Sequence, residues 1–190
     1  MKKVIIIATI LMALSPTVYG YTYSDYDWTP YNGHQYAITL DWSNWSQAEA
    51  WAQEVDGHLV TINDDEENTW VAEFIKDSYL DATPPETVEP SHNIAWIGLE
   101  YVSGDMSLPA SWNWISGEPI MFWNPNYLFP MGGTHMYIHG MNHNTPETWN
   151  NNAPHDGYSG IPRGVIEVVP EPATLFLLGL GGLMLRKRKH

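Results

Sequence analysis

Two sets of side chains in the second half of the chain could bind a ligand directly. Aromatic rings can stack on the faces of sugar rings, and amides can hydrogen-bond hydroxyl groups. The large apolar residues are Trp123, Tyr127, Phe129 and Met131, and the amides are Asn142, Asn144, Asn150, Asn151 and Asn152. From both sets, with two further amides, we select a candidate ligand-binding group: Trp123, Asn124, Asn126, Phe129, Met131, Asn150 and Asn151.

A purely structural interpretation of the same residues is open as well. The large apolar side chains could pack beneath a long loop as a small satellite core. The asparagines could serve turns, where their side chains hydrogen-bond the nearby backbone. The alternative is an exposed patch that binds a protein or a sugar ring.

Metal binding has weaker support in the sequence. His135, His139, His143 and His155 lie close together, and Glu147 or Asp156 could complete a zinc site. Histidines spaced in this way are more often partly buried and hydrogen-bonded. The acidic run 64–67 is best explained by the positive end of a helix dipole. We therefore expect no cofactor and no metal.

Catalytic motifs are missing from the sequence. There is no nucleophile elbow, no HExxH motif and no glycine-rich phosphate loop. Carboxylates are abundant, so a catalytic pair of Asp or Glu stays open. We nevertheless expect a non-enzyme.

Charge excludes one class of partner. Between residues 21 and 185 the chain has two basic residues, Lys76 and Arg163, against 22 acidic ones, a formal charge of 2 − 22 = −20. Such a surface repels nucleic acid, so we expect no nucleic-acid partner. The chain has no cysteine, and its core must hold without disulfides.

Both ends of the chain have the features of export signals. Residues 1–20 combine Lys2 and Lys3, an apolar run and a small-residue cleavage site, which is typical of a signal peptide. We expect the mature chain to begin near Tyr21. Residues 169–190 join Pro170, Glu171 and Pro172 to an apolar run of 13 residues and a basic end. As a helix that run would span only ~20 Å of the ~30 Å membrane core.

The remaining chain, residues 21–168, has the pattern of a single α+β domain with an antiparallel sheet. Asn44 is expected to cap a helix to about Val55, with Ala48, Trp51, Ala52 and Val55 on its buried face. Asn63 is expected to cap a second helix over about 64–75, which buries Trp70, Val71, Phe74 and Ile75. Short strands are expected at 36–38, 58–62, 94–99, 111–115, 136–139 and 164–168, with a long irregular loop over 116–133.

Six segments in this order resemble the C-type lectin-like domain. They are 44–51, 57–62, 66–68, the WIGL strand 96–99, the W-x-W-x-x-G-x-P segment 112–119, and Trp149-Asn150-Asn151 before the last strand. The resemblance implies a C-type lectin-like fold, with two helices, a small antiparallel sheet and a long loop. It also implies a disulfide from the first helix to the last strand, but the helix position is Ala52 here.

The resemblance further implies a calcium site in the long loop, and this chain departs from it. Aligned without gaps, Phe129-Pro130-Met131 replaces the Glu-Pro-Asn triplet, Thr134 replaces a Glu, and Asn151 replaces an Asp. The alternative triplet, Asn124-Pro125-Asn126, supplies no carboxylate either. Because charged oxygens set calcium affinity, we expect no calcium at this site.

The C-terminal segment resembles the PEP-CTERM sorting signal. The resemblance implies transient anchoring in the inner membrane and processing by an exosortase near Pro170, Glu171 and Pro172. The expected product is an exported, non-catalytic module at the cell surface or secreted, which binds a glycan or an extracellular matrix protein. The alternative is a structural matrix protein without sugar specificity.

Overall fold

The computed structural model describes residues 20–80, 94–128, 133–141, 143–151 and 162–169. These residues contain two helices and nine strands. In chain order they are β1 (Thr29–Tyr31), β2 (His34–Ile38), α1 (Trp45–Glu54), β3 (His58–Leu59), α2 (Asp65–Leu80), β4 (Ile94–Tyr101), β5 (Trp112–Trp114), β6 (Pro125–Tyr127), β7 (His135–His139), β8 (Trp149–Asn150) and β9 (Arg163–Val168). The α+β class predicted from the sequence is confirmed.

Helix α1 begins as the sequence predicted. The Asn44 side chain accepts a hydrogen bond from the Gln47 backbone N–H, as an N-cap should. On the face that the sequence predicted, Ala48 and Ala52 are fully buried, whereas Trp51 is half-buried. Glu49 is buried instead, since its carboxylate accepts the Leu59 backbone N–H at 2.8 Å.

Helix α2 differs from the prediction at both ends. Asp64, rather than Asn63, accepts the Glu67 backbone N–H at 2.8 Å and acts as the cap. The helix continues to Leu80 rather than ending at Ile75. Along the predicted buried stripe, Val71 and Ile75 are fully buried, whereas Trp70 and Phe74 are half-buried and stack with a centroid distance of 5.1 Å.

The sheet is mixed, although the sequence predicted an antiparallel one. Its main order is β1-β2-β9-β4-β7-β8-β6, with β3 on β9 and β5 on β4. Most neighbours are antiparallel, but β4 pairs with β9 in parallel, and β6 pairs with β8 in parallel. Strand β9 therefore pairs with β2, β3 and β4 near the middle of the sheet. Of the strand predicted over 58–62, only the two residues of β3 form a strand.

Tryptophans fill much of the core. Trp112 and Trp114 lie on one face of β5 at 2% exposure, whereas Asn113 between them is exposed, because side chains alternate along a strand. Trp149 is fully buried, and its ring meets that of Trp114 edge to face at 5.6 Å. These large rings supply apolar area that a chain without disulfides needs.

Ala52 lies in a separate buried cluster with Ala37, Val55 and Ile166. Helix α1 therefore meets β9 through apolar packing at the place where the resemblance implies a disulfide. No helix within the described segments has the length and apolar character to cross a membrane.

Candidate functional site

Strands β6 and β8 bring the predicted asparagines together. Pro125 lies opposite Trp149, and Tyr127 lies opposite Asn150. The Asn124 side chain donates to the Glu147 carbonyl oxygen at 3.0 Å. The backbone carbonyl of Asn124 accepts the backbone N–H of Trp149 at 3.0 Å. The alternative triplet 124–126 therefore runs beside Trp149-Asn150.

The floor of this site is anchored to α2. The buried side chain of Asn68 accepts the Trp149 indole N–H at 2.7 Å and donates to the Glu147 carbonyl at 2.8 Å. Because both bonds come from one buried amide, they fix the loop before β8 relative to the helix. The sequence signal for Asn68 was its place in the lectin-like pattern, but its structural role was not predicted.

The amides differ in how much they are exposed. Asn126 is exposed and Asn150 is half-buried, so both are accessible to a ligand. Asn151 is fully buried, and its side chain donates to the Gly133 carbonyl at 3.2 Å and to the Met106 sulfur at 3.5 Å. Asn151, at the position where the resemblance implies an Asp, thus uses its amide N–H groups in contacts within the protein.

Trp123 packs against the core. Its half-buried ring meets Trp149 edge to face at 6.2 Å and Trp112 at 6.4 Å. The ring is therefore held against the core by these contacts while part of it stays accessible. Phe129 and Met131 lie outside the described residues, as do Asn142, Asn152, His155 and the sorting residues Pro170, Glu171 and Pro172.

The described histidines make packing and hydrogen-bond contacts. His135 stacks on Trp45 with a centroid distance of 4.1 Å, and burial lowers its pKa, opposed by the nearby Glu100. His139 and His143 stack at 3.8 Å, and His139 Nδ1 lies 2.9 Å from the Thr145 hydroxyl. Across the described residues, no group of three His, Asp or Glu side chains is arranged to hold a metal ion.

A buried pair of carboxylates was not anticipated from the sequence. Glu67 of α2 and Glu167 of β9 both approach the hydroxyl of Tyr36, at 2.8 and 3.4 Å. The other oxygen of each carboxylate accepts a backbone N–H, from Asn63 and from Thr61, both at 2.9 Å. Each of the four oxygens thus has a protein partner.

Burial is the main cause of the pKa shift of Glu67. Desolvation raises the pKa of Glu67, and the hydrogen bonds from Asn63 and Tyr36 partly offset the shift. Burial also raises the pKa of Tyr36, with a further contribution from the charge of Glu167. His34 Nδ1 lies 2.5 Å from the Glu167 carboxylate on its outer side. Glu67 is therefore part of the core, whereas Asp65 and Glu66 are exposed at the start of α2.

Two segments of the chain match known protein families. Residues 42–156 match the family model of the lectin C-type domain. The chain belongs to the C-type lectin domain family. Residues 168–189 match the PEP-CTERM protein-sorting motif. Both resemblances inferred from the sequence are confirmed.

Relatives of this lectin domain occur in animals. The chain is 29% identical over 103 residues to a mouse CD209 antigen-like protein D, a match that covers 52% of this chain and 36% of that protein. It is 30% identical over 90 residues to a coagulation factor IX/factor X-binding snaclec from Echis carinatus, covering 45% of this chain and 62% of that protein. The chain thus spans less than two thirds of the length of these relatives.

Solved structures share the fold at lower identity. Human lithostathine superposes with a TM-score of 0.54 at 19% identity, over 74% of this chain and 95% of that one. A calcium-independent type II antifreeze protein gives 0.50 at 18% identity, over 74% and 90%. These likenesses support the fold.

Proposed function

We propose that this chain is an exported, non-catalytic binding module that recognises a glycan or an extracellular matrix protein without calcium at the usual lectin site. The observation that carries the proposal is the side chain of Asn151. It is buried and donates to a backbone carbonyl, so an amide occupies a place where calcium binding calls for a carboxylate.

Membership of the lectin family supports a binding role. A mouse CD209-like protein and a calcium-independent antifreeze protein are among the proteins it resembles, and the latter's name attests a member of this fold that functions without calcium. The binding residues we propose are the candidate group defined above. Within it, Asn126 and Asn150 are the accessible amides among the described residues.

The sorting motif supports the proposed route. In this proposal the chain is exported, held transiently at the inner membrane, and processed by an exosortase-type enzyme near Pro170, Glu171 and Pro172. The module then acts at the cell surface or after release.

A glycan array with the exported protein tests the binding role. We expect the same glycans to be bound with calcium and with EDTA, because the proposed binding residues include no carboxylate to hold the ion. The Asn126→Ala variant should bind more weakly, whereas Asn113→Ala, at an exposed position on β5, should bind normally. Loss of binding on chelation refutes the metal-independent site.

The formal charge of −20 favours a second candidate, a structural matrix protein assembled through divalent cations. Light scattering during a calcium titration separates the two. A binding module should keep its size, whereas a matrix protein should form larger particles that EDTA disperses.

A further inference from the structure

An open cleft of about 640 Å³ lies where the segment before α1 meets the outer face of that helix. It involves none of the long-loop residues proposed above. Its walls include two tryptophans, Trp42 and Trp51, together with three side chains that can hydrogen-bond: Asp41, Gln47 and Glu54. Apolar walls with a few convergent polar groups are typical of small-molecule sites.

Both tryptophan rings are held in place by neighbours. Trp51 is half-buried, and the ring of Tyr21 meets it edge to face at 5.5 Å. The Arg163 guanidinium lies 5.5 Å from the centre of the Trp42 ring, and it donates to the Leu40 carbonyl at 2.6 Å. Because these rings are positioned before any ligand arrives, binding would cost little side-chain entropy.

The polar groups can serve hydroxyl groups. Asp41 accepts a hydrogen bond from the Tyr21 hydroxyl, and Glu54 accepts the Tyr21 backbone N–H at 2.8 Å. A carboxylate offers about four lone-pair sites, so each retains acceptor capacity. Gln47 is exposed and supplies both a donor and an acceptor.

Ser43 adds an independent observation. It lines the same cleft and is only 6% exposed, and within the described residues its hydroxyl oxygen has no hydrogen-bond partner. Most buried hydroxyls in folded proteins are paired, so this wall of the cleft holds a polar group that the described residues leave unsatisfied.

We propose that this cleft is a saccharide site for an uncharged pyranose, with the apolar face of the sugar against Trp51 and Trp42. Gln47 and the two carboxylates bind its hydroxyl groups. An anionic sugar is disfavoured, because the carboxylates of Asp41 and Glu54 both line the cleft. The inference rests on the proposed glycan-binding function and adds to it a second saccharide site, separate from the candidate group of the long loop.

Titration calorimetry with the exported protein tests the site, with cellotetraose and chitotetraose as neutral probes and tetragalacturonate as the anionic one. We expect a neutral tetrasaccharide to bind and the anionic one not to bind. Trp51→Ala should weaken binding by about tenfold or more, because it removes the stacking surface. Gln47→Ala should weaken it by a few-fold, because about one hydrogen bond is lost.

Two controls locate the effect. Gln47 is exposed, so its replacement leaves the fold intact even if Trp51→Ala perturbs α1. Trp70→Ala removes a half-buried, stacked tryptophan from α2 and should leave the affinity unchanged.

The two proposals fail in different ways. If the wild type binds a neutral probe, Trp51→Ala and Gln47→Ala bind equally well, and Asn126→Ala does not, the cleft is not the site and only this inference is overturned. If no neutral probe binds, the cleft is overturned as a sugar site, and the glycan array then decides the broader proposal. Tight binding of tetragalacturonate would also contradict it.

Discussion

Glu67 is buried beside a second carboxylate, and its protonation should therefore be coupled to folding. Its pKa in the folded protein lies above the unfolded value of 4.5. Between these two values the folded state binds more protons than the unfolded state. The contribution of Glu67 to stability is thus fully present below about pH 4.5 and is lost as the pH rises through the raised pKa.

Replacing Glu67 with Gln should remove this part of the pH dependence. A Gln side chain can accept the Asn63 N–H and donate to the Tyr36 hydroxyl, which can then donate to Glu167. We expect the unfolding free energy of Glu67→Gln, relative to the wild type, to increase as the pH rises from about 4.5.

Urea denaturation over a pH series measures this difference. Glu66→Gln is the matched control, because Glu66 is its exposed neighbour and should leave the slope unchanged. His34 and His58 face Glu167 and are unchanged in all variants. A difference that is flat with pH would contradict the assigned role of Glu67.

Asn151 provides a second prediction at the residue scale. Asn151→Asp replaces the donor to Gly133 with a buried negative charge, so we expect the unfolding free energy to fall by about 1–3 kcal/mol at neutral pH. Calcium should not restore it, because the neighbouring amides add no charge. Asn126→Asp, at an exposed position, should change stability by less than about 0.5 kcal/mol. A calcium-dependent gain in the urea midpoint of Asn151→Asp would show a functional calcium site.

At the scale of elements, Gly98 allows β3 and β4 to approach each other. A Cβ atom at this position would lie 2.4 Å from the Leu59 carbonyl oxygen, a backbone atom that cannot move aside. The Gly98 N–H donates to Val60 and its carbonyl accepts from Ile115, so the strand cannot shift without losing both bonds. A glycine inside a strand is typical of such a close approach between backbones.

We expect Gly98→Ala to lower the unfolding free energy by about 1–3 kcal/mol or more, measured by urea denaturation. Gly33→Ala is the comparison, because Gly33 has a positive φ of 89° but open space around it. Its cost should be close to the ~1 kcal/mol of backbone strain alone. Equal losses in the two variants would show that the contact with Leu59 is not limiting.

The elements also show what the sequence could predict. The cap at Asn44 and the alternation in Trp112-Asn113-Trp114 are local patterns, and the structure agrees with both. Contacts between distant segments determine the parallel pairing of β4 with β9 and the half-buried position of Trp51. Local periodicity does not encode such contacts.

The candidate site shows the same division. The lectin-like motifs identified the strand that carries Asn150, because Trp149-Asn150 is a local signature. The sequence did not predict the cleft lined by Trp42 and Trp51. It did not predict the carboxylate pair of Glu67 and Glu167 either. Each joins residues that lie far apart along the chain or in separate elements. No spacing in the chain marks them.

At the scale of the whole molecule, we expect the exported chain to begin at Tyr21. The Tyr21 nitrogen already lies 2.8 Å from the Glu54 carboxylate, so cleavage after Gly20 would place an ammonium group opposite that charge. Intact mass and N-terminal sequencing measure this end directly. Gly20→Trp should retain the leader, because a bulky residue replaces a small one at the cleavage site. A mature chain that starts well inside the domain would contradict the expectation.

Strand β9 ends at Val168, and the match to the sorting motif begins at that same residue. If the chain is anchored through this motif as proposed, a pull on the anchor acts first on β9, which pairs with β2, β3 and β4. Because β9 pairs with several strands, releasing it from the sheet would break the backbone hydrogen bonds of all these pairings. While it is tethered, the domain should resist mechanical extraction far better than one attached through a peripheral strand.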